Sequence, residues 1–351
     1  MMEHHDLKSP DRASGFSAVE SDLSFLHIAA VIPAYRVEAQ IAGVITSIPS
    51  FVRTIIVVDD ASPDRTNGVV RGLLDKEPRG VLISHARNRG VGAAMVTGFR
   101  EALARGAEIV VKVDGDGQMA GEAIIDLLIP LVEGRADFSK GNRFRDAWAL
   151  QAMPLLRRIG NAGLSFCAKA ATGYWDCFDP TNGFLAIRGD VLSRLPLARV
   201  APGYFFEISL LGELYLLQAV VSDVPIPARY GREKSSLSIP RVLVTFPWKL
   251  AAMLARRILL KYFVYDFTVG SLYIAGGLPL LAFGLVFGMT KWIKYASQGV
   301  PAPTGTVMLA TLPFILGFQL LLSAISFDLG SMPRRPLGTS MLPTAWRADS
   351  V

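Results

Sequence analysis

The sequence predicts an α/β protein with a doubly wound sheet, followed by two hydrophobic helices that are long enough to cross a membrane. Short β-branched runs alternate with amphipathic helical patterns over residues 27–140. The runs lack the polar alternation of half-buried strands, which is typical of parallel strands buried on both faces. Two long segments without a charged residue follow near the C-terminus.

The alternation of strands and helices predicts right-handed βαβ units within one domain. The predicted strands cover residues 27–33, 54–60, 81–84, 108–114 and 136–140. The predicted helices cover about 38–48, 65–76, 90–105 and 122–133. The pattern is mixed from 141 to 240, so we assign the domain to residues 25–240, after a disordered polar tail at 1–24.

The uncharged segments 267–290 and 307–327 predict a transmembrane hairpin within residues 267–328, because about 20 apolar residues cross a hydrocarbon core. Lys and Arg are more frequent on both sides of the hairpin than in its connecting loop. By the positive-inside rule, the α/β domain and a tail at 329–351 are cytoplasmic, which predicts a multi-pass inner-membrane protein. Two buried core helices are the alternative, although such long uncharged runs are rare in soluble domains.

Residues 241–265 predict an amphipathic helix that lies on the membrane surface. On a helical wheel, Lys249, Arg256, Arg257 and Lys261 fall within one arc, with apolar residues opposite. A basic face of this kind suits an anionic bilayer surface. An ordinary surface helix of the α/β domain is the alternative.

Composition narrows the classes of function. The net charge is +6 and the pI about 9.4, which favours anionic partners such as a membrane surface or phosphorylated substrates. The chain has two cysteines, so a disulfide framework is not expected, and no zinc-site spacing is present. The polar N-terminus lacks the apolar core of a signal peptide.

An acidic motif follows the strand at 108–114. Asp114, Asp116 and Gln118 stand at the carboxyl edge of the sheet, where α/β proteins bind ligands. Two carboxylates and an amide suit Mg²⁺ or Mn²⁺ held against a diphosphate. The motif therefore predicts the metal site of a nucleotide-sugar enzyme.

Other strand ends should lie on the same edge of the sheet. Asp60 follows the second strand and can accept hydrogen bonds from a base N–H or from ribose hydroxyls. We expect Asp64 to stabilise the start of the next helix rather than to bind a ligand. The loop at 85–94 opens a helix whose N-terminus favours a phosphate, and helix packing around Gly90 and Gly92 explains the loop equally well.

Six motifs together resemble the family 2 glycosyltransferases with the GT-A fold, a Rossmann-like fold of nucleotide-diphospho-sugar transferases. They are VIPAY (31–35), VVDDASPD (57–64), NRGVGAA (88–94), VDGDGQM (113–119), GNRF (141–144) and DPTNGF (179–184). With the membrane hairpin, the chain is similar to polyprenyl-phosphate glycosyltransferases, the relatives of dolichol-phosphate mannose synthase and bactoprenol glucosyltransferase. The resemblance covers about residues 28–330.

The resemblance implies a role for each matching residue. The nucleotide would be bound by Pro33, Tyr35, Asp60 and Asp114. The divalent ion and the donor diphosphate would be bound by Asp114, Asp116 and Gln118. Asp116 is also a candidate catalytic residue, and Arg143 would contact phosphate near the reacting centre. Asp179 would position the acceptor or act as a base, or it ties down the turn that follows it.

Two departures from the family pattern matter. The common Tyr-Asn-Glu is Tyr35-Arg36-Val37-Glu38 here, so a role for Glu38 is not supported. Leu185 stands where the family has an Arg after DPTSGF, so other cations must hold the acceptor phosphate. The candidates for this phosphate site are Arg157, Arg158, Arg229, Arg232 and Lys234.

The predicted function is transfer of a sugar, with inversion, from a GDP-mannose or UDP-hexose type donor to a polyprenyl phosphate such as undecaprenyl or dolichyl phosphate. Such an acceptor needs no strong base, since the second pKa of a phosphate is about 6. A lipid hydroxyl, as in diacylglycerol or ceramide, is an alternative acceptor that would need Asp179 or Glu207 as a base. A non-catalytic membrane scaffold is a further alternative.

The expected partners are the nucleotide sugar, the lipid phosphate and the membrane, with no nucleic acid. Relatives of this kind are often oligomers. Gly276, Gly277, Gly284 and Gly288 would allow close helix packing, so a homo-oligomer is one arrangement that the sequence allows. Glycines that face lipid explain the spacing of Gly284 and Gly288 equally well.

Overall fold

The computed structural model describes residues 23–117, 119, 121–143, 155–226 and 239–341. A seven-stranded sheet lies at its centre. The strands are β1 (Ile28–Ala34), β2 (Val52–Asp59), β3 (Gly80–Ser84), β4 (Ile109–Lys112), β5 (Phe138–Asn142), β6 (Leu185–Arg188) and β7 (Val221–Pro225). Their order across the sheet is β3-β2-β1-β4-β6-β5-β7.

The first half of the sheet is parallel, as predicted. β1 pairs with β2 and β4, and β2 pairs with β3. The helices between these strands are α1 (Ile41–Ser47), α2 (Thr66–Leu74), α3 (Val91–Ala104) and α4 (Ile124–Val132). Ile28 and Ala30 enter the core beneath α1, α2 and α4, whereas Ala29 and Val31 enter the core beneath α3. Burial on both faces explains why the strand is apolar throughout.

The second half of the sheet differs from the doubly wound arrangement that the sequence predicts. β6 runs antiparallel to both β4 and β5, whereas β5 and β7 are parallel. The sheet is therefore mixed. The sequence pattern did not predict β6 or β7, because each is only 4 or 5 residues long and lies among loop residues.

The remaining helices form a layer beside the sheet and a separate hairpin. The layer contains α5 (Leu155–Thr172), α6 (Gly189–Leu192), α7 (Phe206–Leu216) and α8 (Ile239–Leu259), which continues as a π-helical segment at Leu260–Tyr265. The hairpin consists of α9 (Val269–Gln298) and α10 (Thr304–Gly330). Short 3₁₀ turns occur at Gly121–Ala123 and Leu197–Arg199.

Helices α9 and α10 lie where the transmembrane hairpin was predicted. Both are long and apolar enough to cross a membrane, and only 11% of the most apolar stretch of each is buried in the protein. This exposure argues against the alternative of two buried core helices. Helix α9 extends beyond its predicted end, so Lys291 and Lys294 belong to its last turns rather than to a loop.

Glycines bring the two helices of the hairpin close together. A Cβ added to Gly284 would lie 2.6 Å from the backbone nitrogen of Phe314, and one added to Gly317 would lie 2.4 Å from that of Leu281. A Cβ on Gly277 would also meet the facing helix, at 3.0 Å. These glycines therefore serve packing within one chain, and the homo-oligomer stays a prediction.

Two of the basic residues of α8, Arg256 and Arg257, point toward the protein, whereas the sequence predicts that they face the membrane surface. Arg256 pairs with Glu213 of α7, with a second hydrogen bond of 3.2 Å. Arg257 donates two hydrogen bonds, of 2.8 and 2.9 Å, to Asp328 of α10. Both carboxylates are buried and far away in sequence, so the helical wheel alone could not reveal these partners.

The exposed side of α8 carries both apolar and basic residues. Trp248 and Leu259 are exposed. Lys249 is also exposed, with its ammonium 5.5 Å from the ring centre of Phe205. A contact of this helix with a bilayer would therefore use apolar side chains and Lys249, while Arg256 and Arg257 fasten the helix to the α/β domain and to the hairpin.

Asp328, in the last turn of α10, joins the hairpin to the rest of the protein. Besides the pair with Arg257, it accepts hydrogen bonds from Tyr262 Oη at 2.6 Å and from Trp175 Nε1 at 3.0 Å. Lys261 Nζ lies 3.4 Å away. Trp175 belongs to the loop after α5, so a single carboxylate links the hairpin, α8 and the α/β domain.

Beyond α10 the chain returns to the α/β domain. The backbone N–H groups of Leu337 and Gly338 donate to the buried carboxylate of Asp137, at 2.9 and 3.1 Å. Arg188 Nη1 donates to the carbonyl oxygen of Thr339 at 2.7 Å. The first part of the predicted C-terminal tail therefore packs beside β5 and β6.

Candidate active site

The ends of three parallel strands bring acidic residues to one edge of the sheet. β1 ends at Ala34 and β2 at Asp59, which are partners in the sheet register. The N–H of Asp60 donates to the carbonyl oxygen of Ala34 at 2.9 Å. Asp114 follows β4, the other neighbour of β1. Asp60 and Asp114 therefore stand at the same edge, as predicted.

The carboxylate of Asp60 is buried and holds the loop that leads into α3. Oδ1 lies 2.6 Å from Nδ1 of His85 and accepts from the backbone N–H of Arg89 at 2.9 Å. Oδ2 accepts from the N–H of Gly90 at 2.7 Å. Both oxygens thus have protein partners that fix the loop. The contact of Asp60 with a nucleotide stays a prediction.

The glycines of the same loop allow a close approach of the backbone. A Cβ on Gly90, where φ is +91°, would lie 2.5 Å from the carbonyl oxygen of Pro202. One on Gly92 would lie 2.1 Å from that of Ala201. The N–H of Ala93 donates to Pro202 at 3.0 Å. These contacts favour the packing explanation of the loop over a phosphate site.

Two predicted nucleotide-binding residues lie at the end of β1, and Asp64 lies before α2. Pro33 is part of β1, and the exposed ring of Tyr35 has the Arg36 guanidinium 5.4 Å from its centre. Asp64 accepts a hydrogen bond from the N–H of Thr66 at 3.2 Å, as expected for a residue that stabilises the helix start. Partial burial raises the pKa of Asp64, but hydrogen bonds from Thr66 outweigh this and lower it.

A buried lysine that the sequence analysis did not single out contacts Asp114. Lys112 Nζ donates to Asp114 Oδ1 and, at 3.1 Å, to the carbonyl oxygen of Gly183. It also lies 3.4 Å from Glu207 Oε1. Burial lowers the pKa of Lys112, but Asp114 and Glu207 outweigh this and raise it above its usual value. The only sign of this lysine in the sequence was the presence of one charged residue within the apolar run that forms β4.

Gly183 of the DPTNGF motif makes room for Asp114. A Cβ at this position would lie 2.2 Å from Asp114 Oδ2 and 2.4 Å from Lys112 Nζ. Oδ1 of Asp114 is held by Lys112, and Oδ2 occupies the space in which that Cβ would stand. Any residue other than glycine would therefore displace the carboxylate or the ammonium group.

Asp116, the second carboxylate of the acidic motif, is half-buried in the turn after β4, and Gln118 lies outside the described residues. Within the part of the chain that the structure describes, no cluster of three or more His, Cys, Asp or Glu side chains could hold a metal. Mg²⁺ commonly takes one or two carboxylates and completes its shell with phosphates and water. The donor set of Asp114 and Asp116 fits that kind of site.

Arg143 and Asp179, both predicted catalytic residues, form an ion pair. Arg143 Nε donates to Asp179 Oδ2 at 2.8 Å, and Nη2 donates to Oδ1 at 3.3 Å. The side chain of Asp179 is fully buried, whereas that of Arg143 is 37% exposed. Both oxygens of the buried carboxylate accept from the guanidinium, so the geometry favours Asp179 as the group that orients Arg143.

A second buried lysine fastens the loop that carries Asp179. Lys140 Nζ donates to the carbonyl oxygen of Asn182, and Asn182 Nδ2 donates to the carbonyl oxygen of Gly141 at 2.7 Å. Burial lowers the pKa of Lys140, and the charge of Glu207 offsets this only in part. The loop after α5 is thus tied to β5, the strand that ends just before Arg143.

The predicted acceptor-phosphate residues are not defined at the side-chain level. Arg157 and Arg158 lie in the first turn of α5, and their side chains are outside the described part. Arg229, Arg232 and Lys234 lie in the segment 227–238, outside the described residues. Their role stays a prediction.

The mixed sheet, with an acidic motif at the end of a central strand, is the GT-A fold of glycosyltransferases. A family model described as Glycosyl transferase family 2 matches residues 29–195. The chain is 32% identical over 178 residues to UDP-N-acetylglucosamine--dolichyl-phosphate N-acetylglucosaminyltransferase of Methanococcus voltae, covering 47% of this chain and 70% of that protein. This chain belongs to glycosyl transferase family 2.

Two further similarities agree with this assignment. Polyprenol monophosphomannose synthase of Mycolicibacterium smegmatis is 32% identical over 174 residues, which cover 49% of this chain and 65% of that protein. The crystal structure of glucosyl-3-phosphoglycerate synthase from Mycobacterium tuberculosis with Mg²⁺ and UDP has a TM-score of 0.50 and 23% identity. It covers 69% of this chain and 83% of that chain, and it shows the shared fold.

Proposed function

We propose that this protein is a membrane-anchored, inverting glycosyltransferase that moves a sugar from a nucleotide-diphosphate sugar to a polyprenyl phosphate. The donor is of the GDP-mannose or UDP-hexose type, and the acceptor is undecaprenyl or dolichyl phosphate. The catalytic domain works on the cytoplasmic face of the inner membrane. One observation carries the proposal: a glycosyltransferase fold is fastened through Asp328 to a hydrophobic hairpin.

The donor side of the site rests on the acidic motif. Asp114 and Asp116 would hold Mg²⁺ or Mn²⁺, with Gln118, Pro33, Tyr35 and Asp60 as the proposed nucleotide-side partners. When bound, the metal would offset the negative charge that develops on the leaving diphosphate. Two carboxylates at a sheet edge and the room left by Gly183 support this role.

The reacting centre rests on Arg143. Its guanidinium is partly exposed and is oriented by the buried carboxylate of Asp179. A guanidinium fixed in this way can hold two oxygens of a phosphate. Arg143 would thus align the acceptor or donor phosphate, while the acceptor oxygen attacks the anomeric carbon from the face opposite the diphosphate.

The charged acceptor explains why no strong base is needed. A phosphate is largely ionised at pH 7, because its second pKa is about 6. Transfer to a lipid hydroxyl would need a base, and the two carboxylates considered for that task are paired with cations. Asp179 binds Arg143, and Glu207 lies 3.4 Å from Lys112. These pairs disfavour diacylglycerol or ceramide as the acceptor.

The proposal is tested with membranes that contain the full chain, incubated with undecaprenyl phosphate and a panel of labelled nucleotide sugars. We expect one donor to yield a lipid-phosphate sugar in the presence of Mg²⁺ or Mn²⁺. Asp116→Asn provides the matched control and should yield none while remaining folded in membranes. Absence of a lipid-phosphate product with every donor would remove the proposal, and product from the Asp116→Asn variant would remove the site assignment.

A further inference from the structure

Lys112 is an ammonium group in a place where an apolar side chain would suffice. The other residues of β4, Ile109, Val110 and Val111, are fully buried aliphatic residues, and Lys112 is buried to the same extent. Burying a cation is costly unless carboxylates and hydrogen bonds compensate it. Lys112 has both, so its presence indicates a task that an aliphatic residue could not perform.

The contacts of Lys112 point to that task. It binds Oδ1 of Asp114, the first carboxylate of the acidic motif, and the carbonyl oxygen of Gly183. Glu207, on α7, supplies a second carboxylate at 3.4 Å, with a side chain that is only 10% exposed. One buried cation therefore contacts both a partly exposed carboxylate of the acidic motif and a more deeply buried carboxylate of α7.

We propose that Lys112 is a positioning residue that occupies Oδ1 of Asp114, leaves Oδ2 for the divalent cation, and weakens the binding of that cation by the acidic motif. The inference rests on the proposed function, in which Asp114 and Asp116 bind that cation. Glu207 is the second carboxylate beside the buried ammonium of Lys112.

The physical reason is Coulomb repulsion at short range. A cation on one oxygen of Asp114 reduces the attraction of that carboxylate for a second cation, and the reduction is large where water is excluded. Release of the nucleotide product is a common rate-limiting step in enzymes. A built-in positive charge beside the metal ligand would let the metal and the nucleotide diphosphate leave after each transfer.

The test measures Mn²⁺ binding directly, by the loss of the free-Mn²⁺ EPR signal on titration of the full chain in detergent. The informative variant is Lys112→Met/Glu207→Gln, which removes the ammonium and the carboxylate of Glu207 together, so that Asp114 loses its cation without leaving Glu207 unpaired. We expect its dissociation constant for Mn²⁺ to fall about tenfold or more. The single change Lys112→Met should fold less well, because it leaves Glu207 without its cation.

A matched control is Lys140→Met, which removes an equally buried ammonium that donates to the carbonyl oxygen of Asn182. We expect its Mn²⁺ affinity to stay within about threefold of the wild type. An unchanged or weaker affinity in the Lys112/Glu207 double variant would overturn the proposal, as would an equal gain in Lys140→Met.

A third variant separates this inference from the proposed function. Asp116→Asn should lose Mn²⁺ binding if the measured ion occupies the acidic motif. If Asp116→Asn binds Mn²⁺ like the wild type, the metal site of the proposed function is wrong. If only the double variant fails to bind more tightly, the proposed function stands and the role assigned to Lys112 is wrong.

Discussion

Arg257 and Asp328 form a buried ion pair with two hydrogen bonds, of 2.8 and 2.9 Å, that joins α8 to the last turn of α10. Their side chains are 4% and 7% exposed. This pair is the main polar link between the hydrophobic hairpin and the helical layer that borders the active site.

The first prediction concerns that pair. Asp328→Ala leaves the Arg257 guanidinium buried without its carboxylate, which commonly costs about 3–5 kcal/mol. We expect a large fall in Tm, measured by intrinsic fluorescence in detergent. Glu213→Ala is the control, because its partner Arg256 is 35% exposed and can be hydrated after the change. Equal falls in Tm for the two variants would contradict the importance of burial at Asp328.

A second prediction concerns the room beside Asp114. Gly183→Ala introduces a methyl group 2.2 Å from Asp114 Oδ2, so the carboxylate must move. We expect a fall in kcat of about 100-fold, since a displacement of about 1 Å in a catalytic group has effects of that size. The control is Gly68→Ala in α2, where nothing lies within 4 Å of the new methyl group. That variant should keep its activity and gain a little stability.

A third prediction concerns the orientation of Arg143. Arg143→Lys keeps the charge but cannot form both hydrogen bonds to Asp179. If Arg143 acts on the transition state, kcat should fall about 100-fold while the donor KM changes little. Arg135→Lys makes the same change in an exposed ion pair with Glu133 and should be neutral. A lower Tm with normal kcat in Arg143→Lys would instead indicate a purely structural pair.

A fourth prediction concerns the pH dependence of stability at Asp223. Burial raises the pKa of this carboxyl group, despite hydrogen bonds from Phe178 and Asn142, and within the described structure its Oδ1 is buried without a hydrogen-bond partner. Because the folded-state pKa exceeds the unfolded one, the stability contribution is present at low pH and is lost as pH rises through the folded-state pKa. Asp223→Asn should therefore raise Tm more at pH 7 than at pH 4.

Asp190 is the matched control for Asp223, because its pKa is shifted in the opposite direction. Partial burial raises the pKa of Asp190, but hydrogen bonding to Arg188 outweighs this and lowers it. The contribution of Asp190 to the stability of the folded protein is present above the pKa of the unfolded state, and it is lost as pH falls through the lower pKa of the folded state. Asp190→Asn should lower Tm at pH 7 and have less effect in acid. Parallel pH profiles for the two variants would contradict both assignments.

The parallel half of the sheet was predictable because strands that are buried on both faces are apolar along their whole length, and such runs are visible in the local sequence. Every residue of β1 except Pro33 faces one core or the other, so the strand appears as an uninterrupted apolar run. β6 and β7 do not appear as long apolar runs, since each is short and contains a charged residue, Arg188 in β6 and Asp223 in β7. Their pairing with β4 and β5 depends on contacts between distant parts of the chain.

The candidate site shows the same limit. The motifs brought forward Asp114, Arg143 and Asp179, and the structure joins the last two in an ion pair. The sequence analysis did not identify Lys112 as a site residue, because its partner Glu207 is distant in sequence. A single charged residue in an apolar run does not indicate which residues it contacts in the folded protein. The orientation predicted for Arg256 and Arg257 of α8 was wrong, because Glu213 and Asp328 become their neighbours only after folding.

The return of the chain to Asp137 has a consequence for the way in which the polypeptide threads a bilayer. Leu337 and Gly338 lie after the hairpin, yet they hydrogen-bond to the sheet that lies before it. If α9 and α10 span the membrane, the number of crossings between these two points must be even. Because Asp137 and its partners Leu337 and Gly338 must lie on the same side of the membrane, the two helices must form a hairpin. This conclusion does not depend on the distribution of lysine and arginine in the loops. A reporter fused after residue 341 should share the compartment of the catalytic domain.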